Sequence, residues 1–413
     1  MHDRRIKVLS LVPDLGLGGG ENRVLNLART IDRSKFDLTV GTFFSRDPIA
    51  EAKWGSLHPE FESAGIDVVD LRLTRPKKRF QSRPLQVVST LIALVRAAVH
   101  LRRFIREREI DVVDAHMDGS LLIAVAAAVS ARVPVVVTLY HVQTIPPKPL
   151  LQPFRILCLH LIAALITDSQ ARVHDFEAVM PRVHAPIFYI PNGVRLEPPK
   201  KTREEVLAFF DIPSNANTII GQVSGLSPFK GHRFLIEAAV QVVAENEKMY
   251  ILCAGFSRGF DAHIDELWIQ AKDLGIADRV RIASYPGSIA DVWQIIDVHV
   301  HASTFDSLPN AIIESMSLGK PAVVTSVGGI PDVVENGKTG IVVPPGDAAA
   351  LAEALLCLLN DPEFATCLGH AASLRYFETL TPECCTRAVE RCFLEITSTP
   401  AEKKAALFRE PIT

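Results

Sequence analysis

The sequence predicts an α/β protein of two doubly wound domains, each a parallel sheet with helices on both faces. Three observations lead there. The chain has 413 residues, enough for two or three domains at about 150 residues each. Short apolar runs alternate with amphipathic helical stretches almost throughout, the rhythm of parallel α/β architecture. That rhythm breaks once, at Pro191–Asn192–Gly193 followed by Glu197–Pro198–Pro199–Lys200–Lys201, turn residues and a charged pair that make a linker.

In the first half the strand candidates are Ile6–Val12, Phe36–Phe43, Ile66–Leu71, Ile110–Ala115, Val133–Leu139, Leu165–Asp168 and Phe188–Ile190. Helical stretches lie between them, the longest over Leu85–Arg108. After the linker the candidates are Thr218–Val223, Met249–Ala254, Val280–Ala283, Val298–His301, Pro321–Thr325 and Gly340–Val343. Open parallel sheets bind ligands at the carboxyl ends of their strands, so a site in a cleft between the domains is expected.

Composition narrows the class. With 48% hydrophobic and 22% charged residues the chain is neither disordered, collagenous nor a coiled coil. A net charge of -3 argues against a globally basic nucleic-acid binder. The charge is uneven: residues 1–195 hold 26 Lys and Arg against 19 Asp and Glu, and the remainder 18 against 28. Different partners for the two halves follow. Seven cysteines, an odd number with no Cys-x-x-Cys pair, point to a reducing compartment and away from structural zinc. The N-terminal apolar run is too short for a signal peptide and reads as a first strand. Leu121–Val129 and Ile156–Ile166 fall short of the ~20 residues that span a bilayer, so a soluble or peripheral cytoplasmic protein is expected.

Three runs carry chemistry. Gly18–Gly19–Gly20–Glu21 follows the first strand and opens a helix; glycines admit a ligand close to the backbone, and a helix N-terminus favours an anion. The same pattern suits a plain tight turn, and Gly16–Leu17–Gly18 lacks the third glycine and the acid of a dinucleotide fingerprint. Lys230–Gly231 follows the first strand of the second half. A lysine there neutralises phosphate as a point charge or is an ordinary solvated residue. The third run, Ser303–Thr304–Phe305–Asp306–Ser307–Leu308–Pro309–Asn310, continues through Glu314 and then Val327–Gly328–Gly329–Ile330–Pro331–Asp332. Pro309 suits a first helical turn, whose free amides can hold a diphosphate. Asp306 then points at the attached group, and Glu314 can reach vicinal hydroxyls such as a ribose. Carboxylates near a helix start are also ordinary capping chemistry.

Together these runs resemble the retaining glycosyltransferases of family 4, which have the GT-B fold: two Rossmann-like domains around a cleft. The likeness rests on Asp306-x7-Glu314, the glycines with Glu21, Asp111 to His116, Ile190 to Val194, Lys230 to His232, and Asp291 to Asp297, in order. The resemblance implies an acceptor-binding domain over residues 1–195 and a nucleotide-sugar-binding domain over 196–377. It also implies a C-terminal helix, within about 378–413, packed back on the first domain. It implies that Glu314 holds the ribose, that Lys230 and the amides of Ser307, Leu308, Pro309 and Asn310 hold the diphosphate, and that Asp306 touches the transferred sugar. Gly18 and Gly19 admit sugar and phosphate, and His141 hydrogen-bonds the reacting sugar. His116 is expected in a structural role. No metal or other cofactor is implied. A front-face mechanism, with donor phosphate helping to deprotonate the acceptor, is expected from the family.

Three departures stand out. The first acid is Asp306, one methylene shorter than the family Glu. The family arginine five residues before the lysine falls on Gly225, which removes one of two charges on the leaving diphosphate; Arg258 or His232 is a candidate substitute. Tyr140 stands where the family His is usual, with His141 next. The segment Leu71–Arg108 holds eleven Lys and Arg against Glu107. Its arginines, with Leu91, Leu94, Val95 and Val99 expected on the opposite face and Phe80 as an anchor, fit an anionic membrane surface or a solvated basic face. The resulting expectation is sugar transfer to a glycan, lipid-linked or small-molecule acceptor in polysaccharide or glycoconjugate biosynthesis. Binding without turnover and sugar-nucleotide epimerisation are the alternatives.

Overall fold

A computed structural model describes residues 4–16, 18–44, 55–71, 83–116, 118–139, 152–179, 183, 185–246, 248–257 and 259–398. By internal contacts the chain divides into one unit of residues 1–193 with 382–413 and a second of residues 194–381.

The first unit holds β1 (Ile6–Val12), α1 (Gly19–Thr30), β2 (Phe36–Thr42), α2 (His58–Ser63), β3 (Val68–Asp70), α3 (Arg83–Glu107) and β4 (Val112–His116). It continues with α4 (Asp118–Ala131), β5 (Val135–Leu139), α5 (Gln152–His160), β6 (Ala164–Thr167), α6 (Gln170–Val179) and β7 (Ile187–Tyr189). All seven strands pair in parallel in the order β3-β2-β1-β4-β5-β6-β7. β4, β5 and β6 are buried at every residue, as strands covered by helices on both faces must be.

The second unit begins with α7 (Arg203–Phe209), β8 (Thr218–Val223), α8 (His232–Ala244), β9 (Met249–Ala254), α9 (Asp261–Asp273), β10 (Val280–Ala283), α10 (Ile289–Trp293) and β11 (Val298–His301). It ends with α11 (Asn310–Ser317), β12 (Ala322–Thr325), α12 (Ile330–Val333), β13 (Ile341–Val343), α13 (Ala348–Asn360) and α14 (Pro362–Arg375). Its parallel sheet runs β10-β9-β8-β11-β12-β13. Each apolar run of the sequence becomes a strand, and both sheets have the doubly wound order. The order reverses between β1 and β4 and between β8 and β11, which opens a crevice at their carboxyl ends. The loops after β1, β8 and β11 carry the glycines, Lys230 and Asp306.

The last helix, α15 (Pro382–Thr397), belongs to the first unit. Cys385, Val389, Cys392 and Phe393 bury against Leu27, Ile31 and Phe36. Thr386 shares a 2.6 Å hydrogen bond with Thr30, and Glu390 accepts one from the Asp32 amide.

α3 corrects one reading. Leu101 and Ile105 face the sheet, while Val95 and Val99 are exposed. At 3.6 residues per turn they share the outward face with Arg96, Arg103 and Arg106 rather than opposing them. Leu94 is half-buried against the core. Phe80, the basic residues 75–79 and the side chains of Arg83 and Leu91 lie outside the described residues.

Candidate active site

The second unit assembles the larger cluster. After β8 the chain runs through Ser224 and Gly225, makes a 3-10 turn over Pro228–Lys230 and enters α8 through Gly231. Gly231 has φ 71°, and a Cβ there would collide with the Ala302 carbonyl. Only glycine lets the turn lie against the end of β11. The buried Gln222 holds the two loops together: its Nε2 donates to the Lys230 carbonyl at 2.7 Å and its Oε1 accepts from the Ala302 amide at 3.2 Å. The Thr304 amide donates to the Phe229 carbonyl at 2.9 Å.

This geometry sets Lys230 on Asp306. The ammonium stands 2.5 Å from Asp306 Oδ2, which also accepts from Ser303 Oγ and faces His301 Nε2, both at 3.0 Å. The Ser307 amide donates to Oδ1 at 3.1 Å. Burial alone would raise the Asp306 pKa, but the His301 hydrogen bond and the Lys230 charge outweigh it and hold the carboxyl well below the usual range. Asp306 is therefore turned onto protein partners rather than free to point outward. The Gly328–Gly329 loop packs directly on this turn: a Cβ at Gly328 would strike the Asp306 and Ser307 carbonyls, and the Gly329 amide donates to the Ser307 carbonyl at 2.6 Å.

Pro309 stands at the N-cap of α11, one position before the first turn, and as a proline it has no backbone N–H to donate. Ser307, Leu308 and Pro309 are buried. Further along α11, Ile312, Ile313 and Met316 bury into the core and fix the helix. Glu314 is half-buried, and its Oε2 accepts from the Trp293 indole at 2.7 Å. Burial pushes its pKa up to about 7, against the opposing pull of the Trp293 bond. Trp293 also meets His299 edge-on at 5.0 Å. His299 is fully buried with neither ring nitrogen paired, and burial keeps it neutral.

The vacant arginine position is open: a Cβ on Gly225 would meet only the Phe256 carbonyl, at 3.7 Å. His232 does not replace the missing charge. It is fully buried beside Ser224 Oγ, 3.2 Å away, and burial lowers its pKa to about 3. Arg258 lies outside the described residues.

In the first unit Gly18 caps α1, and a Cβ there would run into the Glu21 carboxylate, which folds back over it. Gly19 faces open space, with nothing within 4 Å of its Cβ direction. His116 ends β4 with Nε2 2.7 Å from Asp114 Oδ2, which also accepts from Ser10 Oγ at 3.0 Å. Both are buried. His141 and Tyr140 lie outside the described residues. Among the described residues no group of three His, Cys, Asp or Glu side chains could hold a metal ion.

Gln222, Trp293 and His301 are not singled out by the sequence, and Ser303 only opens the third run without a role of its own. His299 and His301 alternate on one strand and so share a face, which was a usable signal. Trp293 belongs to another helix, and nothing in the local pattern links it to Glu314.

Two doubly wound parallel-sheet units of seven and six strands are the architecture of the GT-B fold. The family model described as "Glycosyltransferase Family 4" matches residues 17–198, and that described as "Glycosyl transferases group 1" matches residues 217–361. The chain belongs to glycosyltransferase family 4. It is 30% identical over 211 residues to a D-inositol 3-phosphate glycosyltransferase of Corynebacterium urealyticum, covering 48% of this chain and 49% of the relative. It is 24% identical over 312 residues to a 2-deoxystreptamine glucosyltransferase of Streptomyces kanamyceticus, 71% and 80% of the two chains. The chain thus spans about half the length of the first of these relatives. Among solved structures, a glycosyltransferase of Rickettsia africae superposes with a TM-score of 0.78 at 19% identity, over 96% of this chain and 99% of the other. Anabaena HepE in complex with UDP gives 0.75 at 20% identity, over 95% and 100%. These likenesses show the fold.

Proposed function

We propose that the protein transfers a sugar from a nucleoside diphosphate sugar to an acceptor, with retention at the anomeric carbon and without a metal. The observation that carries this reading is the joint at the carboxyl ends of β8 and β11: Lys230 on Asp306, beside the N-terminus of α11, with Glu314 further along the same helix. In this reading Lys230 and the first-turn amides of α11 take the developing charge of the leaving diphosphate. Glu314 accepts from the ribose hydroxyls, Asp306 contacts the transferred sugar, and Gly19 faces the ligand. Gly18 serves that loop by making room for Glu21. His141 is assigned to the reacting sugar by family resemblance alone.

Donor binding asks Lys230 to share its charge between Asp306 and phosphate. Asp306 keeps His301, Ser303 and the Ser307 amide when it does. The acceptor belongs to the first unit; the relatives' names, covering an inositol phosphate and an aminocyclitol, support a polyhydroxylated small molecule or a glycan, within polysaccharide or glycoconjugate synthesis. A cytoplasmic enzyme working at a membrane face fits the excess positive charge of residues 1–195.

The test is thermal stabilisation by UDP, GDP, ADP and CDP, each with chelator present. One nucleotide raises the melting temperature of the wild type, and Lys230→Met abolishes the rise. No shift with any of them overturns the donor-site reading. Gly225 favours one other reading, nucleotide binding without turnover; a shift with no product in an acceptor screen would select it.

A further inference from the structure

On the outer side of the first unit, the surface of α3, α4 and α5 is apolar where a solvent-facing helix layer is normally polar. Among the described residues, every exposed large apolar side chain of this unit except Leu394 lies on these three helices or at the end of α5. Val95 and Val99 are 62% and 60% exposed, and Ile92 precedes them at helical spacing. α4 packs against both neighbours and carries no charge between Asp118 and Arg132; its outward Val129 is exposed. Leu157 and Leu161 continue the apolar surface on the α5 side. Exposed apolar side chains scattered singly need no explanation, but this concentration does.

The charges beside it are mostly positive. The outward face of α3 passes from Ile92, Val95 and Val99 to Arg96, Arg103 and Arg106. Arg103 is paired with Glu107 at 2.7 Å. Arg96 and Arg106 have no carboxylate within ion-pair distance among the described residues. α5 has no acid in its sequence, and its described exposed residues include His160.

We propose that this face docks on an anionic lipid bilayer, the apolar ridge entering the headgroup boundary and the arginines meeting lipid phosphates. The chemistry discriminates between occupants. A second copy of the chain would bring the same arginines against one another, whereas an anionic bilayer offers both an apolar layer and negative charge. No helix of the described residues is long and apolar enough to cross a membrane, so the attachment is at the surface. The proposal does not depend on the transfer chemistry. It names a partner for the first unit, and its readout is separate from nucleotide binding.

The experiment is vesicle flotation of the full chain with phosphatidylcholine alone and with phosphatidylcholine plus phosphatidylglycerol. Wild type floats with the anionic vesicles only, and salt weakens binding. The double variant Val95→Glu, Val99→Glu loses at least about tenfold in partitioning, while its nucleotide-induced melting shift equals that of wild type and reports intact folding. Arg96→Ala and Arg106→Ala each lose about fivefold. Failure of wild type to float overturns the proposal, as does equal binding of the double variant or equal binding to neutral vesicles. A wild-type dimer in sedimentation that the double variant converts to monomer, with no vesicle binding, assigns the face to a second copy instead.

Discussion

Replacing Glu314 with glutamine separates what its environment costs from what it does. In the unfolded chain this carboxyl titrates at 4.5; in the fold burial raises it to about 7. The carboxylate form is thus disfavoured in the folded protein. Stability is fully present below pH 4.5, falls as pH rises through the window to about 7, and is constantly lower above it. Raising the carboxyl from 4.5 to about 7 corresponds to about 3 kcal/mol. Glutamine carries no charge and keeps an oxygen to accept the Trp293 indole N–H. In urea unfolding followed by tryptophan fluorescence, Glu314→Gln matches wild type at pH 4.5 and exceeds it by up to about 3 kcal/mol at pH 8. Nucleotide binding moves the other way. Ribose hydroxyls donate more strongly to a carboxylate than to an amide, by about 1–2 kcal/mol, so the variant binds about tenfold more weakly at pH 8 and wild-type affinity rises with pH through about 7. A stability difference independent of pH refutes the burial argument. Unchanged nucleotide affinity at pH 8 refutes the ribose role.

Three further outcomes are expected. Gly225→Arg has room for its Cβ, with only the Phe256 carbonyl at 3.7 Å; a second cation beside the diphosphate tightens nucleotide binding about tenfold, and unchanged or weaker binding by calorimetry counts against an unfilled charge site. Gly231→Ala sets a Cβ against the Ala302 carbonyl at φ 71°, costs at least about 1–3 kcal/mol and lowers the melting temperature by several degrees; an unshifted melt would mean that the turn is not constrained. His232 titrates at 6.5 unfolded and at about 3 in the fold, so its contribution is present above pH 6.5 and is lost as pH falls toward 3. His232→Gln flattens that part of the acid-unfolding profile, and an identical profile would show that the buried ring is not what titrates.

The fold was legible because parallel strands are buried on both faces, and the sequence writes them as short unbroken apolar runs. β4, β5 and β6 follow this rule directly. What the runs leave open is which way a helix is turned. On α3, the apolar Val95 and Val99 are expected on the face opposite the arginines. Yet Ala97, Leu101 and Ile105, displaced round the helix, pack on the sheet. An apolar residue that faces outward is invisible to an argument in which burial is inferred from hydrophobicity.

The site was legible where its geometry is local and obscure where it crosses between loops. The spacing from Asp306 to Glu314 sets a turn before a helix and a carboxylate along it, and both are present. The partners that decide their charge states come from elsewhere: Lys230 from the β8 loop, His301 from β11, Trp293 from α10. This matters for two of the departures from the family, Asp306 and Gly225, because they are linked through Lys230. In the proposed reading, with glycine at 225, Lys230 divides its charge between Asp306, which it contacts, and a diphosphate. A carboxylate dependent on that lysine alone would hold it away from phosphate. Asp306 is not so dependent, since the Ser303 hydroxyl, the His301 ring and the Ser307 amide already face its two oxygens. In the proposed reading the lysine can therefore turn to a leaving group without abandoning a buried, unsatisfied charge, because the cluster around Asp306 keeps its carboxylate hydrogen-bonded.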